Sequence, residues 1–536
     1  MNNLYLLTSI FSLTTLIQSL KWLWLWQKKD YRLDKMRDYL SLPESRPIVF
    51  DYWFKLRLIS LFYLTFEFLF KLQLDWLNYF FAGLWIVEIG VFGIKLLMRK
   101  NLLIPNFTPK ASIIFAVKII GIIIIIASGI AQNNLHNTLL MYTLDLLLIP
   151  FTIAGSILLI LPIDYITKKR LFTKAKNHRN SLKNLNVVAI SGAFGKTTTK
   201  EILTHVLEQK FMVESTRKNQ NTDISCARRT TEILPDTQYF VCEVGAINVG
   251  DGDKTCAIIQ PQTAIITGLN EQHFGLFGSM ENIIKAETES LAHLHKNDLV
   301  IVNWSSELCH QIVFPDGLRV IKCGIDIEAD YVATKIHFDG KITTFDLTTP
   351  SVKTQLTTNL FSKGAIQNIL HTIAFVLENN LYILDELQPL LTNLSSPDGR
   401  LEVYQRDFGQ IIFNQYNNYD GIINILDFAK TNKNLVIYLD DIAELGSKSE
   451  EIHKKLAVEL ASIQPAKIIL LGRNFSKVIE KELLKRQLAP ESILKWDGQN
   501  TSEIQKLVAE FTTKNTSNKG KSTVLLLGYL SKNFLD

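Results

Sequence analysis

Hydrophobic and polar positions divide the 536-residue chain into two unlike parts. Between Leu4 and Ile166, apolar residues run together near 3–20, 58–74, 76–98, 111–131 and 139–163, each run close to the roughly 20 residues that cross a bilayer core. This predicts five transmembrane helices. Beyond Lys183 the apolar runs shorten and alternate with polar and helix-periodic stretches, as in a soluble α/β protein. Residues 186–191 (NVVAIS), 239–243 and 263–269 read as buried strands, and the β-rich run from about 318 to 358 as a meander. A second series, QIIFN, NLVIYLD, AKIILLG and STVLLLG, reads as the strands of a Rossmann-like sheet separated by helices. The expected fold is a multi-pass α-helical membrane region (1–166), a basic juxtamembrane linker (167–183) and two α/β domains (184–392 and 393–536), with SSPDGRLEV (395–403) as the hinge.

Charge orients the first part. The segment after the first run carries Lys21, Lys28, Lys29, Arg32, Lys35, Arg37, Arg46, Lys55 and Arg57, and the one after the third carries Arg99, Lys100 and Lys110. The connections near Asp75 and from Gln132 to Thr138 carry no Lys or Arg, so the positive-inside rule puts the N-terminus outside and everything after Lys168 in the cytoplasm. Clustered Lys and Arg in 167–183 suit an anionic lipid surface. Glu67, Glu88, Lys118 and Asp145 fall inside the apolar runs, where an ionisable group either pairs within the bundle or lines a pathway. A net charge of +5 is small for this length and gives no reason to expect a nucleic-acid partner. The five cysteines, all after Lys183, lack metal-site spacing or disulfide density and suit a reducing cytosol.

The chemistry begins at 187–201, VVAISGAFGKTTTKE. A buried strand runs into a glycine loop and then a helix. Gly192 and Gly195 let the backbone curl around a phosphate, Lys196 offsets its charge, Thr197 and Thr198 add hydroxyls, and the helix N-terminus attracts anions. Glu243, ending a second strand, is placed to hold magnesium beside Thr197. His273, after a third strand, is a candidate for a second metal or for the substrate carboxylate.

These motifs together resemble the Mur ligases, ATP-dependent amide-forming enzymes of peptidoglycan synthesis, over about 187–530. TRKNQNTDIS (216–225) is similar to the family's Asn-rich loop, with Asn219 and Asn221 matching. YFVCEVGAINVGD (239–251) is similar to the family's magnesium-binding Glu-x-Gly-Ala stretch, and TGLNEQHFGLFGSMENIIKAETE (267–289) resembles its next strand end, with Asn270, His273 and a Phe-Gly-Ser turn. LDDIAELGSKSEEIHKKL (439–456), with Glu444, Ser449 and His453, resembles the signature of the branch that adds D-alanyl-D-alanine to the muramoyl tripeptide. The resemblance implies ATP and Mg2+ as cofactors. It implies catalytic roles for Lys196, His273, Glu287 and Arg400; nucleotide contacts from Gly192, Gly195, Lys196, Thr197, Thr198, Asn368 and Arg400; metal contacts from Thr197, Glu243, His273 and Glu287; and substrate contacts from Asn219, Asn221, Asn417 and Glu444.

Four positions depart from the family pattern. Glu287 stands where a carbamylated lysine is usual, Ala365 replaces an adenine-reading Asn, Asn414 replaces an Asp, and LGYL (527–530) replaces Lys-Gly-Ser. The expected activity is amide-bond formation through an acyl phosphate, on a peptidoglycan precursor and an amino acid or dipeptide, with the membrane part standing where the family has a uridine-nucleotide-binding domain. The basic flank 168–183 is the expected place for the pyrophosphate of a lipid-linked precursor. Two alternatives stay open: a nucleotide-binding membrane scaffold without turnover, and an amide ligase with other substrates.

Overall fold

In the computed structural model the described residues are 2–41, 46–70, 75–97, 103–132, 134–218, 220–271, 274–338, 342–396, 398–415, 418–429, 434–443, 445–472, 474–496, 502–506, 509, 522–529 and 534. They form two compact units, Met1–Lys168 and Lys169–Asp536.

The first unit is helical. Its long helices are α1 (Asn2–Lys28), α2 (Tyr52–Phe70), α3 (Asp75–Leu97), α4 (Pro109–Gln132) and α5 (Leu135–Ser181), the last continuing into the second unit. The described residues of all five expected runs are helical, but among the described residues four helical stretches are long and apolar enough to cross a membrane: Tyr5–Lys28, Tyr79–Leu97, Pro109–Ala131 and His136–Ser181. Helix α2 falls outside this set because Lys55, Arg57 and Glu67 interrupt its 19 residues. Arg57 and Glu67 are nevertheless buried. Arg57 pairs with Glu88 of α3, which also accepts from Gln18 of α1. Glu67 lies 3.1 Å from His136, and Lys118 lies 3.1 Å from Asp145. All four ionisable groups first noted inside the runs are thus nearly enclosed and paired with a partner on another helix, Lys118 and Asp145 with each other. Phe11 and Tyr142 stack at 3.9 Å among the apolar side chains that fill the interior.

The second unit contains two sheets. Strands β1 (Asn186–Ser191), β2 (Val213–Ser215), β3 (Tyr239–Glu243), β4 (Thr263–Ile266), β5 (Leu299–Asn303), β6 (Arg319–Ile325), β7 (Tyr331–Phe338), β8 (Thr343–Thr348) and β9 (Lys353–Thr358) pair in the order β2-β3-β1-β4-β5-β6-β7-β8-β9. Pairing is parallel up to β7 and antiparallel across β7-β8-β9, which is the expected meander. Strand β1 sits between β3 and β4, so chain order reverses at its carboxyl end and a crevice opens there. Helices α6 (Lys196–Leu207), α7 (Met280–Glu287) and α8 (Lys363–Glu378) follow β1, β4 and β9. Helix α8 is buried from Ala365 to Val376 and is the central buried helix of this core.

The smaller sheet contains β10 (Glu402–Arg406), β11 (Gly409–Asn414), β12 (Leu435–Leu439), β13 (Lys467–Leu470), β14 (Ile493–Lys495) and β15 (Ser522–Leu527), in the order β10-β11-β15-β12-β13-β14. The four expected strands are present, and the last of them inserts between the first two. Helix α9 (Tyr419–Ala429) follows β11, and α10 (Ser449–Ile463) follows β12.

Within the basic flank 167–183 one cation departs from the expected lipid-facing cluster. The flank is helical to Ser181, and Ala175 and Leu182 are buried with Val187, Ala189 and Phe240. Arg179, 5% exposed, donates to the carbonyls of Leu182, Leu185, Ile259 and Gln260. Four carbonyls occupy its guanidinium, so this residue is a structural clamp and not a lipid-facing cation.

Candidate functional site

The loop between β1 and α6 lies at the point where strand order reverses. Gly192 has φ 124°, and a Cβ there would come within 2.6 Å of Thr267 Oγ1 and 2.8 Å of the Gly268 carbonyl. Only glycine satisfies both the conformation and the space. The Lys196 ammonium donates back to the Gly192 carbonyl, so the loop closes over its own lysine.

A carboxylate anchors the other side. Glu243, at the end of β3 and 2% exposed, accepts from Thr197 Oγ1 at 3.0 Å through Oε2 and from Asn221 Nδ2 at 3.0 Å through Oε1. Thr197 and Glu243, both expected at a magnesium site, thus lie side by side, and Asn221 of the Asn-rich loop joins them. Thr198 lies in the same first turn of α6. These are hard oxygen donors beside a phosphate-sized loop, the set that suits magnesium and a polyphosphate.

Lys200 is a site residue that the pattern concealed. It is completely buried, its Nζ lies 3.5 Å from Glu243 Oε2 and 3.2 Å from Glu201, and it donates to the Lys218 carbonyl. A lone lysine one turn into a helix ordinarily reads as solvated, and only the tertiary fold shows it tying Glu243 to the Asn-rich loop. A buried cation beside a buried carboxylate removes the cost of enclosing either alone.

Glu287 closes the site from α7. It is 2% exposed; Oε2 accepts the Gly192 N–H at 2.8 Å, and its carbonyl accepts Ser191 Oγ at 2.8 Å. Its carboxylate thus holds the first amide of the loop.

Asn368 of α8 accepts from Thr199 Oγ1 at 3.1 Å and packs under Gly195. It braces the loop from beneath. Arg400 lies half-buried in the turn leading to β10. Asn219, His273, Asn417 and Glu444 lie outside the described residues.

Contacts from the smaller sheet approach the end of β4. Asn270 Nδ2 donates to Asp420 Oδ2 at 2.7 Å, and burial raises the Asp420 pKa above the ordinary carboxylate value. Gly446, φ 53°, packs its backbone on Gly275, where a side chain has no room. Sequence reading passed over Asp420 because Asp at a helix start is commonplace. The signature around 439–456 is in large part architectural: Asp441 accepts from the amides of Asn474 and Phe475 at 2.9 and 3.4 Å. His453 is completely buried and stacked on Phe475; it accepts the Ile442 N–H at 3.0 Å through Nε2 and donates to the Ser449 carbonyl at 2.7 Å through Nδ1. Those two partners demand the neutral Nδ1–H ring, and burial lowers its pKa.

Residues 190–376 match the family model described as the Mur ligase middle domain. The chain is 27% identical over 299 residues to the UDP-N-acetylmuramoyl-tripeptide--D-alanyl-D-alanine ligase of Escherichia coli, covering 54% of this chain and 65% of that enzyme. The match thus spans just under two thirds of the relative's length. Among solved structures, MurF from Acinetobacter baumannii superposes with a TM-score of 0.59 at 23% identity over 68% of this chain and 78% of that one. MurF from Thermotoga maritima in complex with ADP gives 0.58 at 22% identity over 68% and 82%. At these identities the likeness is one of fold.

Proposed function

We propose, starting from the premise that residues 190–376 are a Mur ligase middle domain, that the chain is an ATP-dependent amide ligase of peptidoglycan-precursor synthesis. The observation that carries this reading is the 3.0 Å bond between Thr197 and Glu243 on a phosphate loop at the switch point of the sheet. The γ-phosphoryl group of ATP passes to a substrate carboxylate, releasing ADP. An amine then attacks the acyl phosphate, forming the amide, releasing phosphate and losing a proton. Lys196 and the loop amides offset the charge that spreads over the transferred group. Thr197 and Glu243 would hold a magnesium ion, which neutralises phosphate charge when bound. Asn270–Asp420 and Gly275–Gly446 supply contacts by which the smaller sheet excludes water from the acyl phosphate.

The amine in this reading is D-alanyl-D-alanine, by similarity to the Escherichia coli relative. The first unit is a membrane region, and the α/β unit lies on the cytoplasmic side. Charge favours five spans including α2, because the basic stretches 21–57 and 99–110 share a side only if α2 crosses as well. The carboxylate substrate is a lipid-linked stem peptide, whose confinement to the bilayer raises its local concentration. The test compares lipid-linked and uridine-nucleotide-linked stem peptides as substrates for the full-length protein in nanodiscs. Preference for the lipid-linked peptide supports the reading; equal use of both reduces the helices to an anchor. A second reading, a nucleotide-binding scaffold, is favoured by the engagement of Asn368 with Thr199. ATP binding with no stimulation by any carboxylate or amine selects it.

A further inference from the structure

The first unit contains a cavity of about 370 Å³, within the size range of small-molecule sites. It lies among the C-terminal halves of α1 and α3 and the start of α2. Its lining includes the apolar Ile17, Val91 and Phe92 and, interleaved with them, the polar Gln18, Lys21, Asp51, Glu88 and Lys95. On α3, Glu88, Phe92 and Lys95 fall at helical spacing along one stripe, so the lining extends roughly 10 Å along the helix at 1.5 Å per residue.

The charges within it do not cancel evenly. Glu88 is satisfied by Arg57 and Gln18. Asp51 is bound by Lys21 at 2.6 Å and by the Phe54 amide at 2.8 Å. Lys95 is exposed and enters no ion pair among the described residues. Both acids are thus spoken for, and one ammonium remains beside apolar lining. A soluble anion would leave Ile17, Val91 and Phe92 in contact with water, whereas an amphiphile covers them with hydrocarbon.

We propose that this cavity binds the phosphate head of an anionic membrane amphiphile, with Lys95 facing the phosphate and the first carbons of the chain lying against Ile17, Val91 and Phe92. The inference rests on the reading of this unit as a membrane region, and not on the ligase activity. Two sources share this chemistry, an anionic phospholipid and a polyprenyl pyrophosphate.

The test uses the full-length protein in detergent micelles, with retained ligand measured by native mass spectrometry. Four probes are titrated: phosphatidylglycerol, a polyprenyl pyrophosphate, phosphatidylcholine and inorganic pyrophosphate. One anionic amphiphile per chain is expected, retained at least tenfold more strongly than phosphatidylcholine; whichever of the first two binds more tightly identifies the source. Lys95→Glu should weaken retention about tenfold or more and Lys95→Arg should preserve it. Position 95 is exposed, so circular dichroism of both variants should match the wild type. Unchanged retention in Lys95→Glu, equal retention of phosphatidylcholine, or saturation by inorganic pyrophosphate alone would each overturn the proposal. ATP turnover by Lys95→Glu with a soluble acceptor should be unaltered, so failure of the ligase reading would be seen separately in the wild type.

Discussion

The two units bury charge in different ways. In Met1–Lys168 the carboxylates of Glu88 and Asp145 face cations on other helices, so that each charge is met by a fixed partner inside the bundle. In the α/β unit, Glu243 and Glu287 are equally enclosed, but they stand at the carboxyl ends of strands or beside the phosphate loop, where they hold hydroxyls, amides and a lysine that a ligand could engage. A fixed pair stabilises a fold, whereas a buried carboxylate bound to movable donors at a crevice can exchange those donors for a metal or a phosphate. The difference lies in where the topology leaves the charge, not in how deeply it is buried.

The largest effect expected from breaking this distinction is kinetic. Lys196→Ala and Glu243→Ala should each lower ATP-dependent turnover by about a hundredfold or more while leaving the melting temperature of the helical unit unaltered. Steady-state kinetics and thermal melting of the same preparations check this. A full rate in Lys196→Ala would remove the phosphate loop from the chemistry.

In the helical unit the expected effect is on stability. Arg57→Gln alone leaves Glu88 buried without its cation and should cost about 3–5 kcal/mol, whereas Arg57→Met with Glu88→Leu should recover most of that loss. Unfolding of the purified protein in detergent measures both. Equal loss in the single and double variants would mean that the pair acts in something other than packing.

Glu287→Gln sharpens the comparison. An amide oxygen can still accept the Gly192 N–H, so a pure loop anchor tolerates the change within a fewfold, but a carboxylate needed near a metal does not. Turnover measured against magnesium concentration separates the two, and the proposed reading expects strong impairment with a raised magnesium requirement. Activity should not depend on dissolved bicarbonate, because the carboxylate is permanent.

The smallest effect is on acid stability. Burial holds the His371 pKa down to about 3 and lowers that of His453, while both titrate near 6.5 when unfolded. The unfolded chain therefore binds more protons below about pH 6.5. Stability contributed by the neutral rings is complete above that value and is lost as pH falls, by up to about 1.4 kcal/mol per pH unit for His371 down to about pH 3. Denaturation midpoints between pH 7 and 5 should decline, and less steeply in His371→Asn.

The strands were legible because parallel strands covered on both faces read as short β-branched runs, as in NVVAIS and YFVCE. Sheet order was not, since nothing local in STVLLLG says that it inserts between β11 and β12. The phosphate loop and Glu243 were legible through spacing. Lys200, Asp420 and the clamp made by Arg179 were not, because their roles depend on carbonyls and carboxylates far away in sequence. Asn368 and His453 were noticed for their resemblance, and that they also brace a loop and a strand end emerges only in three dimensions. The charges of α2 made it too polar by composition, and their burial against α3 and His136 emerges only in three dimensions.

The central claim is that the oxygen donors around Glu243 serve phosphoryl transfer to a carboxylate. Its most direct test is ADP release by the full-length protein in nanodiscs, with magnesium, a lipid-linked stem peptide and D-alanyl-D-alanine supplied singly and together. The account predicts ADP release that requires the stem-peptide carboxylate, with amide product appearing in step with ADP when the amine is added. ADP release indifferent to both substrates, or none under any combination, would contradict it.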